Sequence, residues 1–168
     1  IEWLSSEAFE DGSAKLETLK EYDGIIVPGG FGDRGVEGKI AVAKYCRENK
    51  IPYLGLCYGM QLAVVEYARN VLGWKDAHTS EVKPKTKHPV IDIMPEQKVN
   101  MAEKNYGATM RLGNYKAVIK PGTIAAASYK EKEVLERHRH RYEVNPVFVE
   151  QLEKAGMVFS GISPDRRL

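Results

Sequence analysis

Gly55-Leu56-Cys57-Tyr58-Gly59, with Gln61 two positions further on, sets a cysteine between two glycines at the close of an apolar run. The pattern has the form of a nucleophile elbow with a thiol in place of serine. A strand must turn abruptly into a helix there, and the flanking glycines remove side chains that would clash. The turn places the sulfur at a helix N-terminus, where free amides and the dipole favour the thiolate. A thiolate held in this way suits attack on an amide carbonyl. The plain alternative is that Cys57 is a small buried hydrophobe, as most unpaired cysteines are. On G-x-C-x-G alone the two readings stand level.

A second feature tips the balance. Val27-Pro28-Gly29-Gly30-Phe31-Gly32 follows an earlier β-branched run. In an α/β sheet, ligands bind at the carboxyl ends of the strands, so the loops after Val27 and Leu56 are expected to face one crevice. Glycines let backbone N–H groups point at a developing oxyanion, and the amides of Gly30 and Tyr58 are assigned that role. Alone, Pro-Gly-Gly would be no more than a tight turn; its pairing with the cysteine elbow favours the chemical reading.

The elements that must position these groups read as strand, helix, strand, helix. Residues 13–21 are polar and helix-compatible. Ile25-Ile26-Val27 reads as a buried parallel strand. Residues 36–49 suit a helix with Val36, Ile40, Ala43 and Cys46 near one face, which makes Cys46 core packing. Ile51 to Leu56 is the next strand and residues 58–70 the next helix. Short joints between such elements predict a doubly wound α/β fold, a mainly parallel sheet with flanking helices. In the second half, Val90 to Met94, Tyr115 to Ile119, Ile124 to Ala127 and Met157 to Ser160 read as strands. Residues 95–109 suit a mobile loop. Asn145-Pro146 opens a helix through Lys154, with Asn145 as its cap and Gly156 closing it.

Composition narrows the classes. With 168 residues, 43% of them apolar, the chain is about one domain long and can bury a core without disulfides or metal. A net charge of +2 gives no strong preference for nucleic acid or membrane. No apolar run approaches the roughly 20 residues that span a bilayer. Cys46 and Cys57, the two cysteines, are too few for a disulfide framework and lack metal-ligand spacing. With no export signal at Ile1-Glu2-Trp3-Leu4, a cytoplasmic location is expected.

Pro28-Gly29-Gly30 followed by Gly55-x-Cys57-x-Gly59-x-Gln61 resembles the class I glutamine amidotransferases. Three longer stretches narrow the resemblance to the CTP synthase branch: Pro28 to Lys39, Thr109-Met110-Arg111-Leu112-Gly113, and Glu136-Arg137-His138-Arg139-His140-Arg141-Tyr142-Glu143-Val144-Asn145. The resemblance covers the chain in order from about Asp23 to Arg167. It implies hydrolysis of L-glutamine through a cysteine thioester at Cys57. It implies that Gly30, Phe31, Tyr58, Gly59, Met60 and Gln61 contact the substrate. Glu81 would hold the α-ammonium and Arg141 the α-carboxylate, and a zwitterion does need one partner of each sign. Residue type alone would leave Glu81 a solvated loop carboxylate. Arg111 would belong to a region that senses GTP, an allosteric activator. The resemblance further implies an amidoligase domain that uses ATP and magnesium to aminate UTP, a homotetramer, and no cofactor in this domain.

The family completes its triad with a His-Pro-Glu segment, and no His-x-Glu occurs here. The family's first strand also precedes the region matching Ile1. The domain is therefore expected to be partial, 1–168, and nearly inactive alone, because deacylation needs a base. Arg137 to Arg141 keeps two further readings, a phosphate or nucleic-acid patch and a solvated strand. Lys83, Lys85 and Lys87 read as a solvated loop. Three rivals stay open: another amidotransferase such as a GMP synthetase subunit, a non-catalytic glutamine- or nucleotide-binding regulatory module, and an assembly surface.

Overall fold

A computed structural model describes residues 1–93 and 111–164. The chain divides into two compact units, Ile1–Ile91 and Asp92–Leu168. The loop expected over residues 95–109, together with Met94, Thr109 and Met110, lies outside the described residues.

The first unit opens with a short helix α1 (Ser6–Glu10) and a 3₁₀ turn over Leu16–Glu21. Strand β1 (Ile25–Val27) pairs in parallel with β2 (Tyr53–Gly55), Val27 opposite Gly55. Only the centre of the run from Ile51 to Leu56 pairs as strand, in part because Pro52 has no N–H to give. Helices α2 (Val36–Asn49) and α3 (Tyr58–Asn70) follow their strands as the sequence predicts. Val36, Ile40, Ala43 and Cys46 are all buried on α2. Cys46 packs with Leu19, Val27 and Val42 in one apolar cluster, and burial pushes its thiol up to about 11. Strand β3 (His78–Thr79) pairs in parallel with the start of β4 (Pro89–Ile93).

A buried charge fastens α2 to α3. Glu66 is 3% exposed and accepts from Arg47 Nη2 at 2.7 Å and Arg47 Nε at 3.0 Å. Asn70 Nδ2 donates to the same carboxylate at 3.2 Å. A bidentate guanidinium gives both oxygens of a carboxylate held away from water a hydrogen-bond partner.

In the second unit, β5 (Arg111–Ile119) and β6 (Glu133–His140) form an antiparallel ribbon, and β8 (Gly161–Ile162) joins the end of β5. β5 begins earlier than the apolar pattern indicates, because the ladder with β6 carries it back to Arg111. The expected strand over Ile124 to Ala127 is instead a helix, α4 (Ile124–Tyr129). Three successive alanines favour helix, and Thr123 caps it by accepting from Ala126 N–H at 3.2 Å. The strand expected over Met157 to Ser160 is also displaced. Pairing starts only where Ser160 O accepts from Lys120 N–H, and the ladder occupies Gly161–Ile162. A short strand β7 (Tyr142–Val144) precedes α5 (Pro146–Lys154). Asn145 Oδ1 accepts from Val147 N–H at 3.2 Å, as the cap reading requires.

Arg47→Ala would strand the Glu66 carboxylate in the core. Solvent reaches about a third of Arg47, so the expected loss lies near the low end for a broken buried pair, about 2–3 kcal/mol. Urea unfolding of the purified variant checks this.

Candidate active site

The elbow is built by close approach. A Cβ on Gly55 would stand 2.5 Å from Met60 N, and a Cβ on Gly59 would overlap Val27 O. Neither position admits a side chain while α3 begins so near β1 and β2. The turn is pinned by Gly59 N–H donating to Leu56 O at 3.0 Å and by Tyr53 Oη donating to Gly59 O at 2.9 Å. Cys57 takes the strain, with φ 50° and ψ −103°. Lys50 and Lys130 also have positive φ, but they sit in the ordinary left-handed basin as helix caps. Cys57 lies outside that basin, in a conformation that costs on the order of 1–3 kcal/mol and that clusters at functional sites. Its side chain is exposed, which removes the buried-hydrophobe reading.

The glycine loop faces this turn. A Cβ on Gly29 would touch Cys57 Cβ at 3.5 Å, and one on Gly30 would touch Tyr58 Cδ1 at 3.5 Å. The loops after β1 and β2 thus share one crevice. Phe31, 86% exposed, and exposed Met60 stand beside it, while Gly59 and Gln61 are buried in the first turn of α3. Glu81 is not a free loop carboxylate. Its Oε1 accepts from Gly32 N–H at 3.2 Å across 49 residues of sequence.

The thiol departs from its expected state. Exposed as the residue is, partial desolvation of its thiolate holds the Cys57 pKa above its ordinary value, the Tyr58 N–H pulls it down, and the Glu81 charge pushes it up again. One amide does not outweigh desolvation and a nearby carboxylate. The sulfur therefore rests as a thiol and needs a base to take its proton.

Sequence reasoning missed His78. It is 1% exposed, and burial with Arg69 and Lys83 nearby pushes its pKa down to about 4, so it is neutral. Its Nδ1 accepts from Thr79 N–H at 2.9 Å, and Thr79 Oγ1 accepts from Glu81 N–H at 3.2 Å. This chain anchors the loop that presents Glu81. A histidine in a polar run gave no sign of it.

The remaining candidates lie in the second unit. Arg141 occupies the bend between β6 and β7, and its Nε is buried with no hydrogen-bond partner among the described residues. Arg111 pairs with Glu143 at 2.9 Å, and its guanidinium lies 4.1 Å from the centre of the Tyr115 ring. Strand alternation divides the basic run. Arg137 and Arg139 are exposed, whereas His138 and His140 are partly buried and meet at 2.7 Å. Burial and the Arg111 charge hold both imidazoles below their usual pKa. Lys83, Lys85 and Lys87 are exposed, as a solvated loop would be.

The family model for glutamine amidotransferase class-I matches residues 3–168. The chain is 57% identical over 165 residues to a CTP synthase of Pyrococcus horikoshii, covering 98% of this chain and 30% of that protein. It is 56% identical over 168 residues to a CTP synthase of Listeria monocytogenes, covering all of this chain and 31% of that protein. The chain thus spans about 30% of the length of the curated relatives it matches. Among solved structures it is similar to the glutaminase domain of Trypanosoma brucei CTPS with bound acivicin. That match has a TM-score of 0.87 and 44% identity, and it covers 97% of this chain and 61% of the other.

Alkylation of Cys57 by iodoacetamide, followed against pH by intact mass, is expected to show a midpoint above that of an ordinary thiol. Glu81→Gln removes a negative charge that disfavours the thiolate, so the midpoint is expected to fall. A midpoint that stays fixed or rises contradicts the electrostatic account.

Proposed function

The chain belongs to the class I glutamine amidotransferase family, and from that premise we propose that it is the glutaminase portion of a CTP synthase. One observation carries the proposal: an exposed, strained cysteine packed closely beside a glycine-rich loop. Its high relatedness to proteins named CTP synthase favours that branch over other amidotransferases.

In the proposed reaction a base removes the Cys57 proton and the sulfur attacks the side-chain amide carbon of L-glutamine. The carbonyl oxygen takes the charge, facing the amides of Gly30 and Tyr58. Collapse of the tetrahedral adduct breaks the C–N bond, and the protonated leaving group departs as ammonia. Water then attacks the γ-glutamyl thioester, the C–S bond breaks, and glutamate leaves with Cys57 restored. The elevated thiol pKa supports the need for a separate base. On the family resemblance that base is a histidine, oriented by a glutamate, of a His-Pro-Glu segment.

Glu81 is the proposed partner of the α-ammonium, supported by its half-buried place beside the loop. Arg141 is the proposed partner of the α-carboxylate, supported by its unsatisfied, buried Nε. GTP activation is proposed for the region of Arg111. Since that guanidinium is engaged by Glu143 and Tyr115, a nucleotide there would meet its neighbours or displace the pair. Ammonia would pass to an amidoligase domain that uses ATP and magnesium to aminate UTP. No residue of this chain is assigned to hold them. A homotetramer in the cytoplasm completes the proposal. No helix among the described residues is long and apolar enough to cross a membrane.

The test uses the protein at the full length of its relatives. Cys57→Ala is expected to lower glutamate release by on the order of a thousandfold or more, while CTP formation from added ammonia persists. Glutamate release at the unaltered rate would refute the assignment.

A further inference from the structure

The oxyanion loop carries little structure of its own over Gly29 to Gly32. Glycine occupies positions 29, 30, 32 and 35, Phe31 points largely into solvent, and only the far end of the loop is tied down otherwise, by Arg34 pairing with Glu7 at 2.7 Å and its carbonyl accepting from Lys39 Nζ at 2.8 Å. Gly32 has φ +74°, and a Cβ there would have nothing within 4 Å. Such a segment has many conformations to lose. Yet the Gly30 amide must be fixed to within a fraction of an ångström, since a displacement of about 1 Å can cost about a hundredfold in rate.

Two side chains take hold of one residue of this loop from opposite sides. Tyr58 Oη donates to Gly32 O at 2.5 Å, and Gly32 N–H donates to Glu81 Oε1 at 3.2 Å. Tyr58 is 1% exposed, and its ring lies against Gly30. The same residue supplies the backbone N–H beside the Cys57 sulfur. One side chain therefore ties the nucleophile's turn to the loop opposite it.

Resting on the glutaminase reading, we infer that the phenol of Tyr58 and the carboxylate of Glu81 are positioning groups that clamp the oxyanion loop through Gly32. Burial holds the phenol pKa far above its usual value, so it remains a donor throughout the working range. Glu81 gains a second task beside binding the α-ammonium. A carboxylate has roughly four lone-pair sites, so it can hold the Gly32 amide and a substrate ammonium together. Occupancy of the amino-acid end and the geometry of the oxyanion hole then draw on one group.

Glutaminase kinetics of the full-length protein test this. Tyr58→Phe keeps the ring and is expected to lower kcat about tenfold or more while KM stays within about twofold. Glu81→Gln keeps an oxygen that accepts from Gly32 but loses the charge, so KM rises. Glu81→Ala loses both, and its kcat is expected to fall about tenfold below that of Glu81→Gln. Amide exchange over residues 28–35 is a second readout that needs no turnover. It is expected to quicken about tenfold or more in Tyr58→Phe. Wild-type kcat in Tyr58→Phe, equal kcat in the two Glu81 variants, or unchanged exchange would overturn the clamp while leaving the glutaminase reading intact. A wild-type protein that releases no glutamate from glutamine overturns both.

Discussion

The whole site depends on how closely helix α3 begins to the strands that precede it. The backbone of Gly59 lies against Val27 O, and the backbone of Gly55 lies against the first turn of α3. No Cβ fits at either point, so the chain has no gradual path from β2 into the helix. Cys57 absorbs the change of direction in a conformation that L-residues rarely adopt. The strained turn leaves Cys57 exposed beside Gly29 of the loop after β1. The apolar packing of α2 and the Arg47–Glu66 pair keep α3 seated so that the turn cannot relax.

Electrostatics then divides the labour. Partial desolvation and the Glu81 charge both disfavour the Cys57 thiolate, so a separate base is needed to take its proton. His78 is neutral because burial, helped by the Arg69 and Lys83 charges, outweighs the Glu37 carboxylate beside it, and its Nδ1 accepts a backbone hydrogen bond. His138 and His140 are likewise discouraged from protonation by burial and Arg111.

The sequence made legible what short-range sterics dictate. Glycines on both sides of Cys57 announce an approach too close for side chains, and the structure shows the two clashes they avoid. The bounds of α2 and α3, and the Asn145-Pro146 start of α5, are written in local pattern and capping chemistry. What stayed hidden depends on partners distant in sequence or on competition between weak local preferences. Ile124 to Ala127 looked like a strand until the Thr123 cap and alanine propensity are weighed together. The basic run divides into two faces only once β5 sets its register. The raised thiol pKa comes from desolvation in the folded chain with a further push from Glu81, and the link from Tyr58 to Gly32 spans 26 residues. Nothing in local spacing encodes either.

The central claim is that a strained Cys57 faces backbone donors across the crevice. A crystal structure of the full-length protein, alkylated by a glutamine analogue whose ketone replaces the side-chain amide, tests it most directly. The account predicts a bond to Cys57 Sγ, with the ketone oxygen within about 3.2 Å of the Gly30 and Tyr58 amide nitrogens. An adduct whose oxygen points into solvent, or one formed on another residue, would contradict it.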